Sequence, residues 1–176
     1  MKRYLFNFTA DKILSEAKNI TMSIGASRVK QDGSTMFREI SLTEDDDVLF
    51  QRFLKDAHAH LLEKLSAYLF ECEGENEDYD ICDLDPNNRI ADDDLRLYRL
   101  CYPCEFRTDH SIQQIQVIDN YMIQFLVYYV IYRWLLIKYP EEAQTYLLLS
   151  NEFIEKVISA INRVKGGKIR RPINPF

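Results

Sequence analysis

Two cysteines separated by two residues, Cys101 and Cys104, form the first arrangement in this chain that could do chemistry. A C-x-x-C pair serves redox thiols and also supplies half of a structural zinc site. A redox-active pair requires the first cysteine at a helix N-terminus after a buried strand, and that context is missing here. A structural zinc site requires a second pair of ligands. Cys72 and Cys82 do not form one, and His110 is the nearest additional ligand. We therefore predict reduced thiols, with Cys101 and Cys104 as small buried side chains in a strand.

An acidic stretch at residues 83–94 overlays the twelve-residue calcium loop, in which oxygen ligands wrap a hard cation. The side chains at its first, third, fifth and twelfth positions are Asp83, Asp85, Asn87 and Asp94. Asn88 replaces the glycine of that loop, Ala91 removes the ninth-position ligand, and no amphipathic helix leads in. The segment is therefore interpreted mainly as a solvated acidic surface loop, with cation binding as the alternative.

Charge is distributed unevenly along the 176 residues, whose formal net charge is -6. Residues 71–94 hold eleven acidic residues and one basic residue, and residues 156–176 hold six basic residues and no acidic one. The candidate partner-binding residues at this basic end are Arg163, Lys165, Lys168, Arg170 and Arg171. Such cations suit phosphates, an acidic protein surface, or simply the end of a solvated helix. Aromatic residues interleaved with the charges are missing apart from Phe176, so self-association through opposite patches is favoured over nucleic-acid binding.

The sequence contains none of the short motifs searched for as signatures of particular enzyme classes. It contains no Gly-rich phosphate loop, nucleophile elbow or histidine–acid motif, so we predict a non-enzyme without a cofactor. Residues 121–137 are largely apolar but contain Gln124 and Arg133, which favours a buried central helix over a membrane span. The N-terminus is too polar for a signal peptide, which favours a cytoplasmic product.

The apolar fraction of 47% is sufficient for a sizeable core in one domain. Its pattern predicts a mainly α fold, a helical bundle of three long helices with a short N-terminal helix and a small β element. In chain order, the predicted segments are a helix and a hairpin or arm at 1–41, a helix at 42–70, the acidic loop at 71–94, a strand at 95–102, a core helix at 111–138, a helix at 140–165 and a basic tail at 166–176.

Local signals place the ends of these helices. Thr9 is a candidate N-cap for a helix running to about Ile20, and a turn at 31–34 separates two extended runs that form the hairpin or arm. The strand at 95–102, which ends before Pro103, could pair with this hairpin.

Three further signals begin the long helices. Capping boxes at Ser41 with Glu44, and at Ser111 with Gln114, open the second and third helices. Pro140 occupies the first position of the fourth helix. His58 and His60 lie two residues apart and should leave the helix in different directions, which argues against a shared metal.

The order of these elements is similar to that of a known class of proteins. The short sequences that carry the similarity are residues 42–47, 97–103, 132–135 and 139–146, within a matched region of roughly 42–171. The series resembles small phage- or prophage-encoded structural proteins of gut Bacteroidetes and, more loosely, the helical head–tail connector adaptors of tailed phages. The acidic insertion at 71–94 and the N-terminal arm depart from the pattern. The resemblance implies a ring-forming virion component beneath the portal, with no catalytic residues.

We therefore expect a non-enzymatic structural or assembly protein, a head–tail connector or neck component that forms an oligomeric ring. Its expected partners are copies of itself and other virion or assembly proteins, in the host cytoplasm or in the virion. Two alternatives remain open. One is a cellular helical-bundle adaptor or regulatory protein that binds another protein through its basic tail, and the other is a metal-dependent hydrolase that uses the acidic loop.

Overall fold

The computed structural model describes residues 2–30, 33–70, 99–106 and 110–163. Helices dominate, and the two strands form one antiparallel sheet, which confirms the mainly α fold with a small β element. The elements in chain order are β1 (Lys2–Thr9), α1 (Ala10–Ser27), α2 (Phe37–Ile40), α3 (Asp47–Leu65), β2 (Arg99–Phe106), α4 (Ile112–Lys138) and α5 (Pro140–Ile161), with 3₁₀ turns at Glu44–Asp46 and Ser66–Tyr68.

The helix α4 lies at the centre of the bundle and packs against α1, α3 and α5. Buried side chains occur on all of its sides, as expected for a helix that is apolar all round. Trp134, which is 1% exposed, donates its indole N–H to the carbonyl of Ile40 at 2.6 Å and so ties α4 to the end of α2. None of the described helices is long and apolar enough to cross a bilayer.

A single residue, Tyr139, connects α4 to α5, so the two helices fold back on each other as an antiparallel hairpin. The predicted capping box at the start of α4 is confirmed. Ser111 N–H donates to the Gln114 side chain at 2.8 Å, and Gln114 N–H donates to the Ser111 hydroxyl at 3.3 Å. Pro140 begins α5 as predicted, whereas α5 ends at Ile161 instead of 165.

The start of α3 differs from the prediction. Ser41 is buried and does not cap the helix. The capping contacts instead join Thr43 to Asp46, whose carboxylate accepts the Thr43 backbone N–H at 3.0 Å and the Thr43 hydroxyl at 2.7 Å. A 3₁₀ turn therefore precedes the α-helix, which spans Asp47–Leu65 and not 42–70.

The small sheet pairs β1 with β2, and the strand β1 was not predicted. Alternate side chains of β1, Phe6 and Phe8, point into the core. Residues 99–102 of the predicted strand at 95–102 are confirmed, and residues 95–98 lie outside the described residues. The strand β2 continues through Pro103 to Phe106, beyond the predicted end, and its partner is β1 instead of the 21–41 region. Pro103 is tolerated because a two-stranded sheet has open edges, and its carbonyl accepts the Phe70 N–H at 3.2 Å.

The predicted hairpin or arm at 21–41 is wrong for most of its length. Residues up to Ser27 continue α1, and a short helix, α2, covers Phe37–Ile40. What remains of the hairpin is one antiparallel bridge between Val29 and Thr35, closed around Gly33 at φ 81°. The predicted acidic loop at 71–94 and basic tail at 166–176 lie outside the described residues.

Candidate interaction surfaces

The residues predicted to bind cations or partners fall mostly outside the described part of the chain. Arg163 is described and exposed, just beyond the end of α5. The remaining candidates, which are Asp83, Asp85, Asn87, Asp94, Lys165, Lys168, Arg170 and Arg171, lie in the segments that are not described. Among the residues that are described, no group of three or more His, Cys, Asp or Glu side chains is placed to hold a metal ion.

The C-x-x-C pair is buried in β2, and both Cys101 and Cys104 are thiols outside any disulfide. Burial raises the pKa of Cys104 to about 12 because the thiolate would lose its hydration. A thiol held protonated in this way is a poor nucleophile and a poor metal ligand at neutral pH. The prediction of two small buried strand residues is confirmed.

The histidines of α3 leave the helix in different directions, as predicted. His58 is 6% exposed, and its Nδ1 lies 2.7 Å from the hydroxyl oxygen of Tyr102 on β2, while its Nε2 has no hydrogen-bond partner. Burial lowers the pKa of His58 to about 4, so the ring is neutral at neutral pH. His60 instead stacks on Phe125 and Tyr129 of α4.

Four half-buried aromatic rings form a continuous line on the α4–α5 hairpin, which we call the aromatic row. Its members are Tyr121 and Tyr128 of α4 and Tyr146 and Phe153 of α5. The Phe153 ring centroid lies 5.8 Å from that of Tyr121 and 5.5 Å from that of Tyr128, and Tyr128 in turn lies 6.0 Å from Tyr146. These separations are typical of directly interacting rings.

Polar and charged groups border the aromatic row. The Gln124 side chain donates to the Glu16 carboxylate of α1 at 3.1 Å, and Arg28 beyond the end of α1 pairs with Glu142 of α5. At the other end, Lys156 lies 4.5 Å from the Phe153 ring centroid. The row therefore combines apolar ring surface with hydrogen-bonding groups along its edges.

The Tyr146 hydroxyl of the row keeps its proton. Burial raises the pKa of Tyr146, and the neighbouring Tyr128 raises it further, although the Arg28 cation opposes the shift. Tyr146 is therefore uncharged at neutral pH and able to donate a hydrogen bond. Sequence reasoning did not identify this row. Its signal was present as two aromatic pairs spaced seven residues apart, one pair on each helix.

Each helix of the hairpin exposes a large apolar side chain. Leu148 of α5 is 68% exposed and Ile137 at the end of α4 is 57% exposed. Leu148 follows Glu141 by seven residues and precedes Glu152 by four, so the three share one side of α5. This side also presents the exposed Glu155 carboxylate. The outer face of α5 is thus an acidic stripe around one large leucine.

A shallow groove of about 420 Å³ lies beside α2. Its lining residues are Lys30, Ser34, Thr35, Phe37, Arg38 and Glu39. The Lys30 ammonium pairs with the Glu39 carboxylate across it, so the groove contains both signs of charge. Its lining combines cations, a carboxylate, hydroxyls and one aromatic ring, so no single class of ligand is favoured.

No family model, curated protein or solved structure matches the chain.

Proposed function

We propose that the protein is a non-enzymatic structural and assembly protein, a phage or prophage head–tail connector or neck component that forms an oligomeric ring. The observation that carries the proposal is the exposure of Leu148 on the outer face of α5. The expected occupant of this surface is a second copy of the chain. The order of helical elements, which resembles that of head–tail connector adaptors, also supports a connector role.

Exposed apolar side chains are common singly, so their presence alone identifies no interface. The charge pattern supplies the second argument. Residues 71–94 carry a net charge of -10 and residues 156–176 carry +6, so one copy holds two oppositely charged segments that would attract each other across a contact. Opposite charges would orient two copies, and burial of the apolar side chains would stabilise the contact at roughly 25 cal/mol per Å².

Contact between two different surfaces of the same molecule is heterologous, and it gives a head-to-tail arrangement. Such an arrangement closes into a ring when the rotation between copies divides a full turn, and otherwise it extends into a filament. Two complementary charged segments on one chain are compatible with such a ring and also with a two-fold dimer, in which each segment contacts the other segment of its partner. The mass of the oligomer distinguishes the two arrangements.

The substitution Leu148→Glu tests this interface. A fourth carboxylate among Glu141, Glu152 and Glu155 replaces apolar contact with desolvated negative charge, so we expect the oligomer to dissociate at concentrations where the native chain is assembled. Mass photometry gives the distribution of oligomers, and urea unfolding shows whether the fold is retained.

The matched control is Val48→Glu, because Val48 is 79% exposed but lies in the first turn of α3. This variant should assemble as the native chain does. An oligomer distribution that is unchanged by Leu148→Glu, or equally changed by both substitutions, would argue against the outer face of α5 as the interface.

A further inference from the structure

The outer face of α5 carries a projecting apolar side chain, Leu148, among carboxylates. Glu141 and Glu155 lie seven residues before and after this leucine, on the same side of the helix, and neither has an ion-pair partner among the described residues. Glu152, one turn beyond the leucine, pairs with Lys156 at 2.6 Å. A surface that covers this face must therefore be apolar at its centre and positively charged around it.

The groove beside α2 has an apolar centre. Phe37 belongs to its lining, and the ring is 40% exposed. Val29, which is 64% exposed, forms an antiparallel bridge with Thr35 of the lining. Directly opposed residues of such a bridge place their side chains on the same side. One aromatic and one aliphatic side chain are therefore exposed together at the groove.

Positive charge predominates around the groove. Lys30 and Arg38 belong to the lining, and Arg28 lies two residues before Lys30. The Lys30 ammonium pairs with the Glu39 carboxylate of the lining, and Arg28 pairs with Glu142 of its own chain. Arg38 is exposed and has no ion-pair partner among the described residues. This guanidinium is therefore able to pair with a carboxylate of another molecule.

We propose that Leu148 of one copy of the chain inserts into the groove beside α2 of a second copy, where Arg38 faces the carboxylates of the α5 stripe. The inference rests on the ring-forming role proposed above and names the surface that receives the leucine. The mixed lining of the groove, which favours no class of small ligand, is the composition of a protein interface, in which polar groups surround an apolar centre. Its volume of about 420 Å³ accommodates one side chain and the flank of the helix that carries it.

Charge complementarity favours the groove over a second α5 as the surface that Leu148 contacts. If Leu148 met its own counterpart, the carboxylates of two acidic stripes would face each other, and like charges brought together in this way oppose association. The groove instead presents the opposite sign of charge. The contact therefore joins two different surfaces, and each copy provides one leucine and one groove.

Two variants that each damage one surface test this pairing. Leu148→Glu disrupts the face of α5, and Val29→Glu/Arg38→Glu places carboxylates at the groove, where they would repel the acidic stripe. Each variant alone should assemble at concentrations about tenfold or more above those of the native chain, because residues at the centre of an interface carry most of the binding energy. An equal mixture should form dimers of one copy each, since it retains one intact leucine and one intact groove. Native mass spectrometry with one variant ¹⁵N-labelled identifies these mixed dimers.

The matched control for the groove variant is Val117→Glu/Arg99→Glu, which makes the same changes of residue type at exposed positions on α4 and β2. It should assemble as the native chain does. Urea unfolding shows whether each variant retains the fold. Thr35→Glu, at an exposed position of the groove lining, is the second groove variant if the double variant does not fold.

The other outcomes overturn the pairing, and they separate it from the proposed function. If the groove variant assembles as the native chain does while Leu148→Glu dissociates, α5 remains the interface but the groove does not receive the leucine. If both variants are monomeric and their mixture forms no mixed dimer, the two surfaces do not bind each other. If the native chain is a monomer at every concentration, the proposed ring fails together with this pairing.

Discussion

At the scale of single residues, His58 couples the stability of the fold to pH. Its ring is buried against Tyr102, and its pKa in the folded chain is about 4 in place of the ordinary 6.5. The unfolded chain therefore binds a proton at a higher pH than the folded chain does. Folding is unaffected by this group above pH 6.5 and becomes less favourable as the pH falls from 6.5 towards 4.

We expect this group to remove about 3 kcal/mol of the free energy of unfolding between pH 7 and pH 4. Urea titrations at several pH values measure the loss, with the fluorescence of Trp134, the single tryptophan of the chain, as the probe. The variant His58→Gln cannot titrate in this range, so its stability should fall less over the same interval. His60→Gln, at a half-buried position of the same helix, is the control for the loss of a histidine side chain. If the free energy of unfolding of the native chain and of His58→Gln fell equally with pH, His58 would not be the group that couples stability to pH.

At the scale of elements, Gly25 allows α1 to approach α2. A Cβ atom at this position would lie 2.8 Å from the Cα atom of Phe37, closer than non-bonded carbon atoms come. Alanine usually stabilises a helix by about 1 kcal/mol relative to glycine, but overpacking against backbone costs about 1–3 kcal/mol.

The variant Gly25→Ala should therefore be destabilised by about 1 kcal/mol, although alanine has the higher helix propensity. Ser23→Ala, at an exposed position of the same helix, is the control and should be neutral or slightly stabilising. Urea unfolding gives both values. A Gly25→Ala variant that is more stable than the native chain would show that α1 and α2 do not pack this closely.

The start of α3 provides a second test at this scale, because two capping arrangements compete. Asp46→Ala removes the carboxylate that accepts from Thr43 and should cost about 1 kcal/mol. Ser41→Ala removes a buried hydroxyl oxygen that has no hydrogen-bond partner and should be neutral or stabilising. The reverse order of stabilities in thermal unfolding would support Ser41 as the cap.

The elements that sequence could predict are those fixed by local signals. The helix α4 follows from its capping box at Ser111 and its long apolar run, and α5 follows from Pro140. The C-terminal part of α1 depends on distant partners instead. Thr21 fits the helix because its hydroxyl donates to the Ala17 carbonyl at 2.9 Å and accepts the Leu42 N–H at 3.1 Å. A single sequence contains no local trace of the second bond, so the predicted helix ended at about Ile20 and the residues after it were expected to be extended.

At the scale of the whole molecule, local signals again predict some features, whereas features that depend on distant partners are missed. The burial of Cys101 and Cys104 could be predicted from residue type and context, whereas the sequence indicated a solvated or core-edge position for His58, which is buried. The aromatic row could not, because its members come from two helices and meet only through the antiparallel register of the α4–α5 hairpin. Exposure of Leu148 is likewise decided by which side of α5 faces α4.

The oppositely charged segments at 71–94 and 156–176, which are proposed to join neighbouring copies, determine how assembly responds to salt. Electrostatic attraction between exposed charges is screened beyond about 8 Å at physiological ionic strength. Assembly should therefore weaken as salt is added, whereas a purely apolar contact would strengthen or stay constant.

The mass of the full chain in solution tests the ring-forming assignment most directly. Native mass spectrometry and sedimentation velocity, carried out over a wide range of protein concentration and at two salt concentrations, compare the particle with the 20.9 kDa chain. We predict one closed oligomer, with a mass that is a fixed multiple of the chain and a population that rises with concentration and falls with salt. A monomer at every concentration would contradict the assignment and favour an adaptor that binds a different protein.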